Sequence, residues 1–203
     1  MKIKTFIFIS SFLFLQNSYA APTIKLCIDG NCKTSVRLVI HDDKWATIKD
    51  VFIEPAKTAY DERKLILKSL PLIEKISLNI LAERSVKKYS AEDLHDRMSN
   101  KDQALNYKAY ISLLLDQNLI RHHFLRKTER RSSWSGMKEY IVVIQDHRSG
   151  ELYALDANKT DFGETPEMQY LKSWKNEKTV KKLKNKAIDI IGNSKTQFKN
   201  HVE

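Results

Sequence analysis

The order of segments along the chain predicts an α+β fold, a mixed and largely antiparallel sheet packed against helices. Three observations carry that expectation. Residues 23–40 alternate or run apolar on either side of Gly30, as two paired strands do. Residues 59–117 hold apolar stripes at helical spacing. Tyr140-Ile-Val-Val-Ile144 is the strongest strand signal, rich in β-branched residues, and a turn sequence follows it closely.

The chain opens on residues 1–20, which have the three parts of a cleavable signal peptide. Lys2 and Lys4 give a positive start, Thr5 to Leu15 is almost unbroken apolar sequence, and Ser18-Tyr19-Ala20 offers small residues for cleavage. The apolar run is shorter than the roughly 20 residues a membrane span needs. Removal leaves 183 residues, the size of one domain. The removed segment carries two lysines and no acid, so the formal charge of +10 falls to +8. With 42% apolar residues the chain can build a core, and five glycines and four prolines argue against a low-complexity polymer. No later apolar run is long enough to span a bilayer. The expected location is periplasmic or secreted.

Thr23 to Ile28 and Thr34 to Ile40 read as a hairpin turning at Asp29-Gly30-Asn31. It contains the only cysteines, Cys27 and Cys32. In an oxidising compartment the pair is expected to form a structural disulfide. The alternative is a redox pair, which the spacing and the absence of a thioredoxin-like pattern disfavour. A zinc site would need two more ligands, and His41 alone does not complete one.

His41-Asp42-Asp43 looks like a helix start, with Trp45, Ile48, Val51 and Phe52 at helical spacing and Pro55 as the stop. Over residues 59–82, Ile66, Leu70, Ile73, Ile76 and Ile80 form one apolar face, with Pro71 expected to kink or divide the helix. Residues 84–100 read as polar and irregular. Asn100 is the expected cap of a central helix over 101–117, whose stripe is Ala104, Tyr107, Ile111 and Leu114. Leu119 to Leu125 reads as a strand. His122 and His123 are adjacent on it and would face opposite sides, which does not suit joint chelation of a metal. Residues 126–138 read as a basic loop. Tyr140 to Ile144, the turn His147-Arg148-Ser149-Gly150 and Glu151 to Leu155 form a second hairpin, and Phe162 to Pro166 another turn. Residues 176–203 hold seven lysines and three acids, with Val180, Leu183, Ala187 and Ile191 at the spacing of a terminal amphipathic helix. The expected organisation is therefore a signal peptide over 1–20, one domain over 21–175 and a basic tail over 176–203.

A set of short motifs occurs in a telling order: Leu26-Cys27-Ile28-Asp29 through Cys32, Trp45, Asp61-Glu62-Arg63, Asn118-Leu-Ile-Arg-His-His123, Val143-Ile144 to Gly150, Tyr153-Ala-Leu-Asp156, Asp161-Phe-Gly163, Pro166 and Trp174. This order resembles a small secreted bacterial branch of the transglutaminase-like, papain-related cysteine hydrolases, over about residues 25–175. The resemblance implies a papain-like arrangement of helix and antiparallel sheet. It also implies a cysteine at the start of the central helix, a histidine on the following strand and an orienting acid on the next. Here the cysteine position falls on Ala104, the histidine position on Glu139, and only the acid is kept, as Asp156. No cysteine occurs in residues 33–203, so the loss of the thiol does not depend on register.

The resemblance with its missing thiol leads to an exported, catalytically inactive domain that binds a partner or belongs to the envelope. The alternative is a periplasmic hydrolase or acyltransferase built on other residues around Asp156, with Glu139, His122, His123, Tyr107 and Tyr140 as candidates. The basic segment Arg126, Lys127, Arg130, Arg131 and Lys138, with Trp134 beside it, would suit an anionic envelope component or another protein. No cofactor, metal or specific nucleic acid is expected. Asp156 has a plain structural role open to it, as a strand or turn acceptor.

Overall fold

The computed structural model describes residues 21–85, 89–132, 136–157 and 160–177. The predicted signal peptide, Trp134 and the predicted tail beyond Glu177 lie outside the described residues. The chain begins with a hairpin, β1 (Thr23–Asp29) and β2 (Thr34–Val39), paired antiparallel from Thr23 opposite Val39. Cys27 and Cys32 are disulfide-bonded across its turn, their Cα atoms 4.7 Å apart. The turn is tight enough to hold Gly30, Asn31 and Cys32 at positive φ, a backbone region that only glycine enters without strain.

Helix α1 (Asp42–Asp50) buries Trp45 and Ile48, and Phe52 just beyond it is buried too. Helix α2 (Ala59–Arg84) is a single helix of 26 residues capped by Thr58. Pro71 lies inside it, buried, and does not divide it. The proline withholds one backbone donor, and packing on both sides of it outweighs that loss. The expected apolar face is real at Ile66, Leu70, Ile73 and Ile80, while Ile76 is half-buried. The same buried side also carries Glu62, Ser69, Glu74 and Ser77.

The segment expected to be irregular contains a short helix, α3 (Ala91–Asp96), opened by a reciprocal cap between Ser90 and Asp93. Central helix α4 (Asn100–Asp116) begins one residue earlier than expected because Ser99, not Asn100, is its cap, again paired reciprocally with an aspartate, Asp102. Both are Ser-x-x-Asp boxes, with aspartate where glutamate or glutamine is commoner.

A second sheet follows. Strands β3 (His123–Leu125) and β4 (Glu129–Ser132) both pair with β5 (Lys138–Asp146), which pairs with β6 (Leu152–Asp156), and β6 with β7 (Glu167–Tyr170). All pairings among the described residues are antiparallel, so the expected parallel component is absent there. The expected basic loop is partly a strand, β4, and the strand expected over 119–125 is confined to β3. Among the described residues, 171–177 form a fifth helix, α5, which crosses the expected boundary between domain and tail.

The larger sheet is covered on both sides. Val142, Ile144, Tyr153 and Leu155 join Tyr107, Ile111 and Leu114 of α4 in the main core. Ile141, Val143 and Ala154 pack on the opposite face against Leu171 and Trp174 of α5. A strand buried on both faces reads as a continuous apolar run, which is why Ile141 to Ile144 lacks alternation.

Candidate functional site

The start of α4 is where the resemblance puts catalysis, and it is closed. Asp102 is fully buried. Its carboxylate accepts the Ser99 amide at 3.0 Å and the Ser99 hydroxyl at 2.7 Å. It also accepts the backbone amides of Asn31, at 3.2 Å, and of Cys32. One turn on, Asn106 pairs with the backbone of Cys27. Its Oδ1 accepts the Cys27 amide at 2.7 Å and its Nδ2 donates to the Cys27 carbonyl at 2.9 Å. The disulfide-bonded turn is thus bolted over the first turns of the helix. Ala104, between these two anchors in sequence, is 2% exposed.

The other two carried-over positions are not beside it. Glu139 forms an ion pair with Arg131. Arg131 also reaches Glu177 at 3.1 Å, donates to the Trp174 carbonyl, and lies 4.2 Å over the Trp174 ring. The Trp174 indole donates to Asp156 at 3.2 Å, and Asp156 is 3% exposed. Glu139 and Asp156 therefore belong to the network holding α5 on the outer face of the sheet. Ala104 shares the helix side of Tyr107 and Ile111, which meets the inner face. The three positions are not brought together.

The same network separates Arg131 from the rest of the basic segment. Arg126 bonds Gln145 at 2.7 Å and remains exposed, as do Lys127, Arg130 and Lys138. Arg130 stands opposite Tyr140 in the β4–β5 ladder, and Lys138 opposite Ser132. The Tyr140 amide donates to Asn100 at 2.6 Å, and the Lys101 ammonium lies 6.0 Å from its ring. Arg130 and Lys138 thus share a face of the ladder with Tyr140, whose ring the Lys101 ammonium approaches beside the helix start.

Two buried acid–histidine pairs escaped sequence reasoning. In the first, Glu62 accepts the amides of Arg121 at 2.7 Å and His122 at 2.9 Å, and the His123 Nδ1–H at 2.9 Å. Burial acts to raise the Glu62 carboxyl, but these three donors outweigh it and its pKa lies below the ordinary value. Arg63 donates to His123 Nε2 at 3.2 Å, pairs with Asp146 at 3.6 Å and lies 4.1 Å over the Tyr153 ring. The Asp61-Glu62-Arg63 and Arg121-His122-His123 motifs are therefore one joint between α2 and β3. His122 turns away and donates to the Ala56 carbonyl at 3.1 Å.

In the second pair, His95 donates from Nδ1 to Glu74 at 3.1 Å. Glu74 also takes the Tyr107 hydroxyl and the Gly163 amide, each at 3.4 Å. The bond to Glu74 raises the His95 pKa, and burial opposes it without prevailing. Burial, with Glu74 adding, pushes the Tyr107 hydroxyl far up, so it stays a donor. The available signal was a glutamate on the helix face that Ile66, Leu70, Ile73 and Ile80 define.

Comparison with protein-family models, curated proteins and solved structures finds no match to this chain. Among the described residues no helix is long and apolar enough to cross a membrane.

Proposed function

We propose that the protein is an exported, thiol-independent binding domain of transglutaminase-like architecture, in which the catalytic start of the central helix has become a structural joint. The observation that supports this most is that α4 is covered on both sides: Ala104 is buried on the side facing the sheet, and Asp102 and Asn106 hold the disulfide turn on the opposite side. A thiol mechanism needs an accessible nucleophile with an imidazole base in reach. The chain offers a covered methyl group, and its Glu139 and Asp156 serve the α5 anchor instead. The disulfide and the signal-like start both favour an extracytoplasmic location.

The binding surface in this reading is the exposed set Arg126, Lys127, Arg130 and Lys138, without Arg131, whose charge is already matched by two glutamates. Its partner is an anionic envelope component, attracted by clustered positive charge. The test is co-sedimentation of the protein over 21–203 with phosphatidylglycerol vesicles against phosphatidylcholine vesicles. Binding to the anionic vesicles alone is expected, falling about tenfold in Arg130→Glu/Lys138→Glu and on raising salt, which screens exposed charge. Equal binding to both vesicles, or no binding to either, would sink this reading.

A further inference from the structure

A cavity of about 690 Å³ opens elsewhere, between the disulfide hairpin and the ends of α2 and α3. Its apolar floor is Ile28, Leu81 and Leu94. Arg84, the last residue of α2, and Arg97, the cap residue ending α3, line the helical side. The Arg97 guanidinium lies 4.4 Å over the Tyr89 ring, which also lines the cavity. Asp29, where β1 enters its turn, lines the hairpin side.

Asp29, Arg84 and Arg97 are exposed and reach the rim of the cavity. Here no ion pair among the described residues joins Asp29 to Arg84 or Arg97. Both walls are fixed: the hairpin by its disulfide and its bonds to Asp102 and Asn106, and α3 by its cap and the His95–Glu74 bond. The cavity has the volume of small-ligand sites, and its lining carries charges of both signs, which suits a molecule carrying both signs. Arginine suits a carboxylate by geometry as well as charge. The apolar floor favours a ligand with some hydrocarbon between its ends.

We propose that this cavity binds a short zwitterionic peptide, its carboxylate held by Arg84 and Arg97 and its α-ammonium by Asp29. The site is separate from the basic β4–β5 surface, so either reading can fail alone.

The experiment is calorimetric titration of the protein over 21–203 with di-, tri- and tetra-alanine, each free, N-acetylated or C-amidated. At least one free peptide is expected to bind at one site per chain. Acetylation and amidation should each weaken it at least fivefold. Asp29→Asn should abolish the effect of acetylation alone, and Arg84→Ala/Arg97→Ala the effect of amidation alone. Thermal melts check that these exposed substitutions leave the fold intact. The proposal is overturned if no free peptide saturates, if blocked and free peptides bind alike, or if Lys49→Ala on α1 weakens binding as much.

Discussion

Ala104 illustrates how a single side chain carries a functional conclusion. Its methyl group is 2% exposed, on the side of α4 that faces the sheet and opposite Asp102 and Asn106, which hold the disulfide turn. Ala104→Cys should therefore give a thiol that iodoacetamide labels only after unfolding in urea. It should gain no thiol hydrolase activity, because the missing element is access as well as sulfur. Rapid labelling of the folded variant, read by mass spectrometry, would show the helix start to be open. His95 makes a second prediction. Its pKa is raised in the folded protein above the ordinary 6.5 by the bond to Glu74. The pair therefore contributes its full stability below about pH 6.5 and loses it as pH rises through the folded value. Urea midpoints measured from pH 5 to 9 should fall on the alkaline side, and His95→Gln should flatten that slope. The two histidine pairs were hard to see in sequence for one reason. Glu62 and Glu74 lie on a helix face defined by its apolar residues, and their partners are 61 and 21 positions away.

At the scale of elements, capping and docking share the same atoms. Asp102 both closes the first turn of α4 and receives the hairpin amides. Asp102→Ala should cost about 2–3 kcal/mol, a lost cap together with backbone donors left unmatched. Hydrogen exchange at Asn31 and Cys32 should quicken more than at the centre of β5. A loss confined to α4, with the turn amides still protected, would mean the disulfide alone holds the hairpin. Local signals exposed much at this scale: the hairpin, α1, the stripe of α4 and the strands around Gly150 all follow from periodicity and turn residues. Helix α3 was hidden because six residues are too few to show a period, and only its Ser90–Asp93 box announces it. Strand β4 was hidden because Glu129-Arg-Arg-Ser132 is polar and owes its conformation to the β5 ladder.

Across the whole molecule, the larger sheet is a wall between two cores. Trp174 is fully buried on the outer side, where its indole meets Asp156 and its ring carries Arg131. Trp174→Ala should lower stability by about 3–5 kcal/mol, as loss of a buried aromatic does. Because Ile141 to Ile144 belong alternately to both cores, the urea transition should shift as one step. A separate early transition would show that α5 folds independently of the sheet.

Short-range chemistry was readable along the chain: which residues turn, which alternate, which segments repeat at helical spacing, and that no thiol follows Cys32. These depend on neighbours within one turn or one strand. Which charges meet was settled only by folding. Arg131 looked like surface until Glu139 and Glu177 were brought to it, and Glu139 and Asp156 looked like remnants of one site until the sheet put them on the far face from Ala104. Burial and ion pairing depend on residues distant in sequence, and a strand's face becomes functional or structural only when something packs on it.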